Sequence, residues 1–184
     1  TIEVLIRELR GRGFSVGSIK EIHNEAFHID TPGSNTDRHR QAGAQLVCAR
    51  GLNETDLLYQ GKLTLNCVLR HFDFDFVVCE GITEPAIPKI ITGLSAQDLE
   101  NRWIENIFAI SGRAADMLDQ FQQVQAISAF TDPVRLTELA IKKAIELINV
   151  EGKGLYQILA RFPSRRNQVF AVRSYDKQEQ AVLK

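Results

Sequence analysis

A run of apolar residues that ends in an acid and a glycine constrains the fold of this chain more than any other feature. The run is Phe76-Val77-Val78-Cys79, and Glu80-Gly81 follows it directly. Four consecutive apolar residues predict a strand buried on both faces, which is typical of a parallel sheet covered by helices. Because ligands of such sheets bind at the carboxyl ends of strands, the pattern places Glu80 at a candidate site.

Short strands and helices alternate along the chain. Strands are predicted over residues 14–20, 46–49, 74–81, 87–91, 107–110, 124–129 and 169–172. Helices are predicted over residues 2–10, 63–70, 113–123, 133–148 and 155–162, with one more short helix after a turn at residues 31–34. This alternation indicates an α/β protein in which most strands of the sheet are parallel.

Composition limits the kind of partner. The 184 residues suit one ordinary globular domain, and a formal net charge of −1 argues against binding nucleic acid through bulk electrostatics. No apolar run approaches the roughly 18 residues that span a bilayer, and no signal-type segment opens the sequence. We therefore expect a cytoplasmic protein that binds a small molecule or another protein, and neither nucleic acid nor a membrane.

The three cysteines, Cys48, Cys67 and Cys79, are widely spaced and have apolar neighbours. An odd number with this spacing favours reduced thiols in the core over disulfides or a zinc knuckle. Cys79 also has no histidine nearby in the sequence, so we interpret it as a packing residue rather than a nucleophile.

A turn and a helix start lie beyond the first predicted strand. Pro32 presets a φ of about −65° and Gly33 can adopt a positive φ, so Thr31 to Ser34 are expected to turn tightly. Asn35 or Thr36 is expected to cap the helix that follows. The main-chain N–H groups at this helix start would then face an anionic ligand.

Four charged residues lie where an α/β sheet assembles a ligand site, at or just beyond strand ends or in the first turn of a helix. They are Lys20, Asp30, Arg38 and Glu80. A carboxylate at the end of a buried strand can hold Mg²⁺ directly or through water, as phosphate-binding folds require. Alternatively, Glu80 caps a neighbouring helix or pairs with a lysine.

Two further groups of residues admit more than one interpretation. Arg38 and Arg40 could bind phosphate or the acidic groups of a partner, because arginine presents a planar fork, or they could form a solvated helix face. His23 and His28 could ligate a metal near Asp30. Their spacing fits no helix face, which favours polar loop residues instead.

The order of several motifs resembles one known family. The motifs are Ile19-Lys20 at a strand end, the loop of His23 to His28, Asp30-Thr31-Pro32-Gly33, Arg38-His39-Arg40, Ala42-Gly43-Ala44, Glu80-Gly81 and Pro88-Lys89-Ile90. In this order, over residues 1 to 148, the chain resembles the molybdopterin-guanine dinucleotide biosynthesis protein B family of P-loop GTP-binding proteins.

The resemblance implies a fold, a function and partners. The fold is a three-layer α/β/α P-loop NTPase-like domain over residues 1–150, with a C-terminal extension of a helix and a strand over residues 151–184. The implied function is that of a GTP-binding accessory protein in molybdenum cofactor biosynthesis, which supports attachment of GMP to molybdopterin. The implied partners are the molybdenum cofactor guanylyltransferase, molybdopterin and a second copy of the chain.

The resemblance also implies roles for individual residues. Nucleotide-binding residues are Lys20, Asp30, Gly33, Glu80 and Gly81. Asp30 and Glu80 would lie near Mg²⁺ or its waters, whereas Arg38, Arg40 and Lys89 would lie near a phosphate of the nucleotide, the pterin or a partner. No catalytic residue is implied, and any GTPase activity is expected to be weak.

One motif of the family is not found in this sequence. The family has a glycine-rich phosphate-binding loop just before the helix with which this chain opens, so we expect that loop upstream of Thr1, and poor nucleotide binding without it. Two alternatives therefore stay open. One is a metal-delivering P-loop GTPase that uses the loop of His23 to His28. The other is a non-catalytic interaction module that uses the Arg38 face or the basic tail, residues 151–184, which contains seven Lys or Arg and three Asp or Glu.

Overall fold

The computed structural model describes residues 1–149 and 168–173, which form two compact units. The first unit contains residues 1–21 and the described residues from Phe72 onward, and the second contains residues 22–71. Residues 150–167 and 174–184, which include the predicted helix at 155–162, lie outside the described residues. The predicted domain boundary at residue 150 therefore stays a prediction.

The first unit contains most of the regular elements. They are α1 (Ile2–Gly11), β1 (Val16–Lys20), β4 (Phe76–Glu80), β5 (Lys89–Thr92), α4 (Ala96–Asn101), β6 (Ile107–Ser111), a 3-10 helix (Arg113–Asp116), β7 (Gln120–Phe121), β8 (Val124–Gln125), α5 (Pro133–Asn149) and β9 (Gln168–Arg173). The second unit contains α2 (Asn35–Gln41), β2 (Leu46–Arg50), β3 (Thr55–Tyr59) and α3 (Leu65–Leu69).

A five-stranded parallel sheet forms the centre of the first unit, in the order β1-β4-β9-β5-β6. Strand β4 is confirmed as a strand buried on both faces, since the side chains from Phe76 to Cys79 are fully buried. Its two neighbours come from distant parts of the chain. Register pairs Glu80 with Lys20 of β1 on one side and with Val172 of β9 on the other.

Helices cover both faces of this sheet. Ile90 and Ala109 pack in one cluster with residues of α1 and α5. The next residues along the same strands, Ile91 and Ile110, pack in a second cluster with Leu99 of α4 and with the 3-10 helix. Because successive side chains of a strand point to opposite faces, this alternation gives three layers, and the predicted α/β class is confirmed.

Strand β2 lies in a different sheet from the one predicted for it. It pairs antiparallel with β3, a strand that was not predicted from the sequence. The two strands form a separate two-stranded sheet. A four-residue turn after Arg50 reverses the chain, and Gly51 N–H donates to Glu54 O at 2.9 Å across it. A turn this short joins antiparallel strands, whereas parallel strands need a longer crossover.

The predicted helix over residues 113–123 is wrong. Only Arg113–Asp116 form a helical turn, and β7 and β8 follow as a small hairpin. Gln122 and Gln123 have φ values of +47° and +64°, which interrupt any right-handed helix. The polar composition of this segment is shared by helices and hairpin turns, so composition could not distinguish them.

Two predicted helices, α1 and α5, are confirmed. Helix α1 packs Leu5 and Leu9 into the core, and α5 begins after Asp132, whose Oδ1 accepts the Arg135 N–H at 3.2 Å. Strand β9 matches the predicted strand at residues 169–172. Among the described residues no helix is both long and apolar enough to cross a membrane.

The cysteines differ from the prediction at one position. Cys79 is a buried core residue, and burial raises the pKa of its thiol to about 12, with a smaller contribution from the charge of Glu84. Cys67 is half-buried. Cys48 is exposed, contrary to the expectation of a core thiol, because it points away from the side of β2 that buries Val47.

Candidate functional site

Lys20 and Glu80 meet at the carboxyl edge of the parallel sheet. They end β1 and β4 at the same register position, and Lys20 Nζ lies 3.8 Å from Glu80 Oε1. A main-chain hydrogen bond also connects the ends of the two strands, since Glu21 N–H donates to Glu80 O at 2.8 Å. Both side chains are partly exposed, so the ion pair adds little stability and can be reached from solvent. The structure thus brings these two predicted residues together, and it also realises the alternative in which Glu80 pairs with a lysine.

Gly81 turns the chain away from the sheet directly after Glu80. Its φ of +77° lies in the left-handed region, which glycine adopts without the strain that a side chain would bring. This geometry is compatible with a ligand approaching the main chain closely. Contact of Gly81 with a nucleotide stays a prediction.

Ser111 is a residue of this edge that the sequence analysis missed. It ends β6, is fully buried, and its Oγ accepts the Ala129 N–H at 3.2 Å. Thr1 Oγ1 also donates to Ser111 Oγ at 3.4 Å, which joins the residue just before α1 to the end of β6. A polar residue directly after the apolar run Ile107–Ile110 is the signal that could have identified it, as it did for Glu80.

The predicted turn before α2 is confirmed. Ser34 N–H donates to Thr31 O at 3.1 Å, and Gly33 between them has a φ of +82°. Pro32 followed by a glycine with positive φ is the pattern of a type II turn.

The cap of α2 differs from the prediction. Ser34, rather than Asn35 or Thr36, is the capping residue, because it keeps an extended backbone and its Oγ accepts the Asp37 N–H at 3.0 Å. Asp37 Oδ2 in turn accepts the Gly33 N–H at 2.8 Å. Two main-chain donors that we expected to face an anionic ligand are therefore occupied by side chains of the protein itself.

Asp37 is the centre of this cluster in the second unit, and the sequence analysis missed it. Its carboxylate is buried and also accepts hydrogen bonds from Arg40 Nη2 at 2.6 Å and Gln41 Nε2 at 2.7 Å. The Gly33 N–H, and after it Arg40, hold the pKa of Asp37 below its usual value. The spacing Ser34-x-x-Asp37, which is a capping-box pattern, was the available signal.

Asp30 has one satisfied and one unsatisfied carboxylate oxygen. Its Oδ1 accepts hydrogen bonds from Ser34 Oγ at 2.8 Å and Thr36 Oγ1 at 2.9 Å. The Ser34 hydroxyl is the largest cause that lowers the pKa of Asp30, while partial desolvation opposes it. Its Oδ2 is buried and accepts no hydrogen bond within the described part of the chain.

The carboxylates of Asp30 and Glu80 fit the donor chemistry of Mg²⁺, each within its own unit. Mg²⁺ in proteins is usually held by one or two carboxylates, with substrate phosphates and water completing the shell. The unsatisfied Oδ2 of Asp30 and the partly exposed carboxylate of Glu80 are ligands of this kind. Among the described residues no group of three or more His, Cys, Asp or Glu side chains could hold a metal ion, and His23 and His28 are both exposed.

The three cations predicted to lie near a phosphate have different surroundings. Arg38 is exposed on α2, whereas Arg40 is held by Asp37. Lys89 is fully buried, contrary to the expectation of an accessible ligand, and its Nζ donates to Glu84 O and Ile87 O, both at 2.7 Å. Of the three, Arg38 has the surroundings that best fit contact with a ligand or partner.

Sequence comparison extends these observations. The profile of the family described as molybdopterin guanine dinucleotide synthesis protein B matches residues 1–111. A protein of Bacillus subtilis strain 168, named a probable molybdopterin-guanine dinucleotide biosynthesis adapter protein, is 26% identical over 137 residues, which cover 72% of this chain and 79% of that protein.

Solved structures show the same fold. A crystal structure of Bacillus subtilis MobB has a TM-score of 0.61 and 23% identity, covering 77% of this chain and 87% of that one. A crystal structure of a MobB homologue from Bacillus stearothermophilus has a TM-score of 0.55 and 17% identity, covering 78% and 88%. With the profile spanning more than half of its residues, the chain belongs to the molybdopterin guanine dinucleotide synthesis protein B family and has a role in molybdenum cofactor biosynthesis.

Proposed function

We propose that the protein binds GTP with Mg²⁺ and acts in the cytoplasm as an adapter for the molybdenum cofactor guanylyltransferase, supporting the transfer of GMP to molybdopterin. The observation that carries the proposal is the placement of Lys20 and Glu80 together at the carboxyl edge of a parallel sheet. Open α/β sheets bind their ligands at this edge. Family membership supports the choice of pathway.

Five of the predicted residues have a definite part in this proposal. Glu80 would hold Mg²⁺ directly or through water, and Gly81 would let a phosphate approach the main chain. Lys20 balances the charge of the Glu80 carboxylate. In the second unit, Asp30 offers its unsatisfied oxygen to a cation and Arg38 offers its exposed guanidinium to a phosphate or to acidic groups of the partner. Bound Mg²⁺ would supply charge neutralisation of the phosphates.

Substitution of Glu80 tests the nucleotide site. In the protein expressed from its complete reading frame, Glu80→Gln should weaken Mg²⁺-GTP binding about tenfold, because the amide is a poor ligand for a hard cation. Isothermal titration calorimetry measures the affinity, and Glu105→Gln, at an exposed acid of the same unit, is the matched control. Equal affinities in the two variants would remove Glu80 from the site.

The adapter role needs a separate measurement. Purified protein should stimulate GMP transfer to molybdopterin by the guanylyltransferase, and Arg38→Ala should reduce that stimulation. No stimulation, combined with no GTP binding, would favour the non-catalytic interaction module instead.

We also propose that the protein is a homodimer that associates through the β2–β3 hairpin. Leu46 and Cys48 of β2 lie on one face, where they pair with Tyr59 and Leu57 of β3. Leu46 is 44% exposed and Leu57 is 48% exposed. A two-stranded sheet with an uncovered apolar face is marginally stable in water, so a second copy would supply the missing cover.

A further inference from the structure

The connection between β4 and β5 is held by a buried lysine. It runs from Gly81 to Pro88 without regular secondary structure. Lys89, the first residue of β5, is fully buried, and its Nζ donates hydrogen bonds of 2.7 Å to Glu84 O and to Ile87 O. A buried ammonium must be solvated or paired by polar groups. Main-chain oxygens of the connection perform this function here.

Asn106 donates hydrogen bonds to the carbonyl groups of Pro85 and Ala86, which lie between the two that Lys89 contacts. Its Nδ2 donates to Pro85 O at 3.3 Å and to Ala86 O at 3.4 Å, and its main-chain O accepts the Lys89 N–H at 2.8 Å. Its φ of +63° is a conformation that asparagine tolerates better than most residues. Four consecutive carbonyl groups, from residue 84 to residue 87, thus accept hydrogen bonds from Lys89 or Asn106. We call this set of contacts the carbonyl clamp.

Lys89 of the carbonyl clamp enters the sheet one residue level away from Glu80 of the proposed nucleotide site. Strand β9 pairs Ala171 with Cys79 on one side and with Lys89 on the other, and the next residue, Val172, pairs with Glu80. The connection therefore leaves the sheet directly after Glu80 and re-enters it at a position only one register step away. Both ends of the connection are anchored in the sheet, and the clamp anchors its middle.

We propose that Lys89 is a positioning residue that, together with Asn106, fixes the β4–β5 connection in one conformation and so sets the position of Glu80 and Gly81. The inference rests on the proposed nucleotide site, and it assigns Lys89 an indirect role in place of a direct phosphate contact. Groups behind a metal ligand commonly determine how well that ligand is oriented. Freeing residues 84–87 would let the chain after Glu80 move, which would weaken a site that depends on its placement.

Two variants remove different parts of the clamp. Lys89→Met keeps a long side chain in the core but removes the ammonium group, and Asn106→Gly removes an exposed amide while tolerating the positive φ. Lys143→Met, at a more exposed lysine of α5, is the matched control. Amide hydrogen exchange at Ile87, whose N–H donates to Glu84 O at 3.1 Å, reports on the clamp itself. Calorimetric affinity for Mg²⁺-GTP reports on positioning.

We expect both clamp variants to speed exchange at Ile87 about tenfold and to weaken Mg²⁺-GTP binding about tenfold, with no change in the control. If Lys89→Met fails to fold, Asn106→Gly alone decides the question. Unchanged exchange at Ile87 in the two variants would contradict the claim that Lys89 and Asn106 fix residues 84–87, whether or not the protein binds GTP. Faster exchange with unchanged affinity overturns the positioning role.

Two further outcomes separate this proposal from its competitors. Loss of binding in Lys89→Met, with Asn106→Gly behaving as the unsubstituted protein, would identify Lys89 as a direct phosphate ligand and overturn the proposal. Absence of Mg²⁺-GTP binding in the unsubstituted protein would overturn the proposed function and the positioning of Glu80 with it. Exchange at Ile87 would still decide whether the clamp exists.

Discussion

Asp37 occupies the position that an anionic ligand would take at the start of α2. Its carboxylate accepts the Gly33 N–H and pairs with Arg40, so the partial positive charge of the helix start is balanced within the protein. An external phosphate at this place would have to displace a buried carboxylate. Any anion contact of the second unit is therefore better sought at the exposed Arg38.

The carboxylates of Asp30 and Asp37 should make the second unit sensitive to acid. Hydrogen bonds from Ser34 to Asp30 and from Gly33 to Asp37 lower both pKa values below the usual 3.8. A lowered pKa means that the contribution to stability is fully present above pH 3.8 and is lost as the pH falls through the lower folded-state value. Carbon-detected NMR titration should place both midpoints below 3.8. Midpoints at or above that value would contradict the hydrogen-bonded cluster.

Among individual residues, the candidate site residues that the sequence could identify lie at the ends of regular elements. Glu80 and Lys20 could be identified because each lies at the end of a predicted strand, and the turn at Pro32 and Gly33 follows from their backbone preferences. The burial of Lys89 could not be predicted. It depends on a connection folding back over its side chain, and no local pattern encodes that contact.

Strand β9 lies between β4 and β5 and so joins the two halves of the parallel sheet. This position makes the main-chain N–H of Ala171 testable by substitution. Ala171 pairs with Cys79 and with Lys89, so Ala171→Pro removes a donor in the middle of the sheet. We expect a loss of about 3 kcal/mol in the free energy of unfolding, because a buried acceptor is left without its partner. Urea denaturation followed by circular dichroism measures the loss. Asn53→Pro, in the exposed turn of the β2–β3 hairpin, is the control, and an equal loss there would argue against a central β9.

The elements that were predicted correctly have strong local signals. Helices α1 and α5 have apolar residues at helical spacing, and β4 is continuously apolar. Helix α4 and strand β3 were missed because each is only five or six residues long and lacks a long run of apolar residues at regular spacing. Helix α4 is held by Leu99, which packs against Ile91 and Ile110 of the sheet.

The proposed dimer can be tested on the intact molecule. Leu57→Lys places a charge on the apolar face of the β2–β3 hairpin and should convert a dimer to a monomer, because burying an unpaired ammonium is costly. Sedimentation velocity measures the change. Leu94→Lys, at a leucine that is 50% exposed in the first unit, is a control of similar exposure. A monomeric unsubstituted protein, or a dimer that persists in Leu57→Lys, would contradict association through the hairpin.

The α/β class of the whole molecule could be predicted because strands and helices alternate along the chain. The division into two units could not. Residues 22–71 leave the parallel sheet after β1 and return before β4, and only the pairing of β2 with β3 shows that they form a sheet of their own. Pairing partners are a property of the folded chain, and the apolar pattern of β2 fits either arrangement.

The place of β9 has a consequence for synthesis on the ribosome. Strands β4 and β5 are separated by eight residues in the chain, yet each pairs with a strand that begins at Gln168. All residues up to the end of β9 must therefore leave the exit tunnel before the central strand is available. Until then one edge of β4 and one edge of β5 stay open, and the nascent chain is exposed to aggregation and to binding by chaperones while the residues between β5 and β9 are translated.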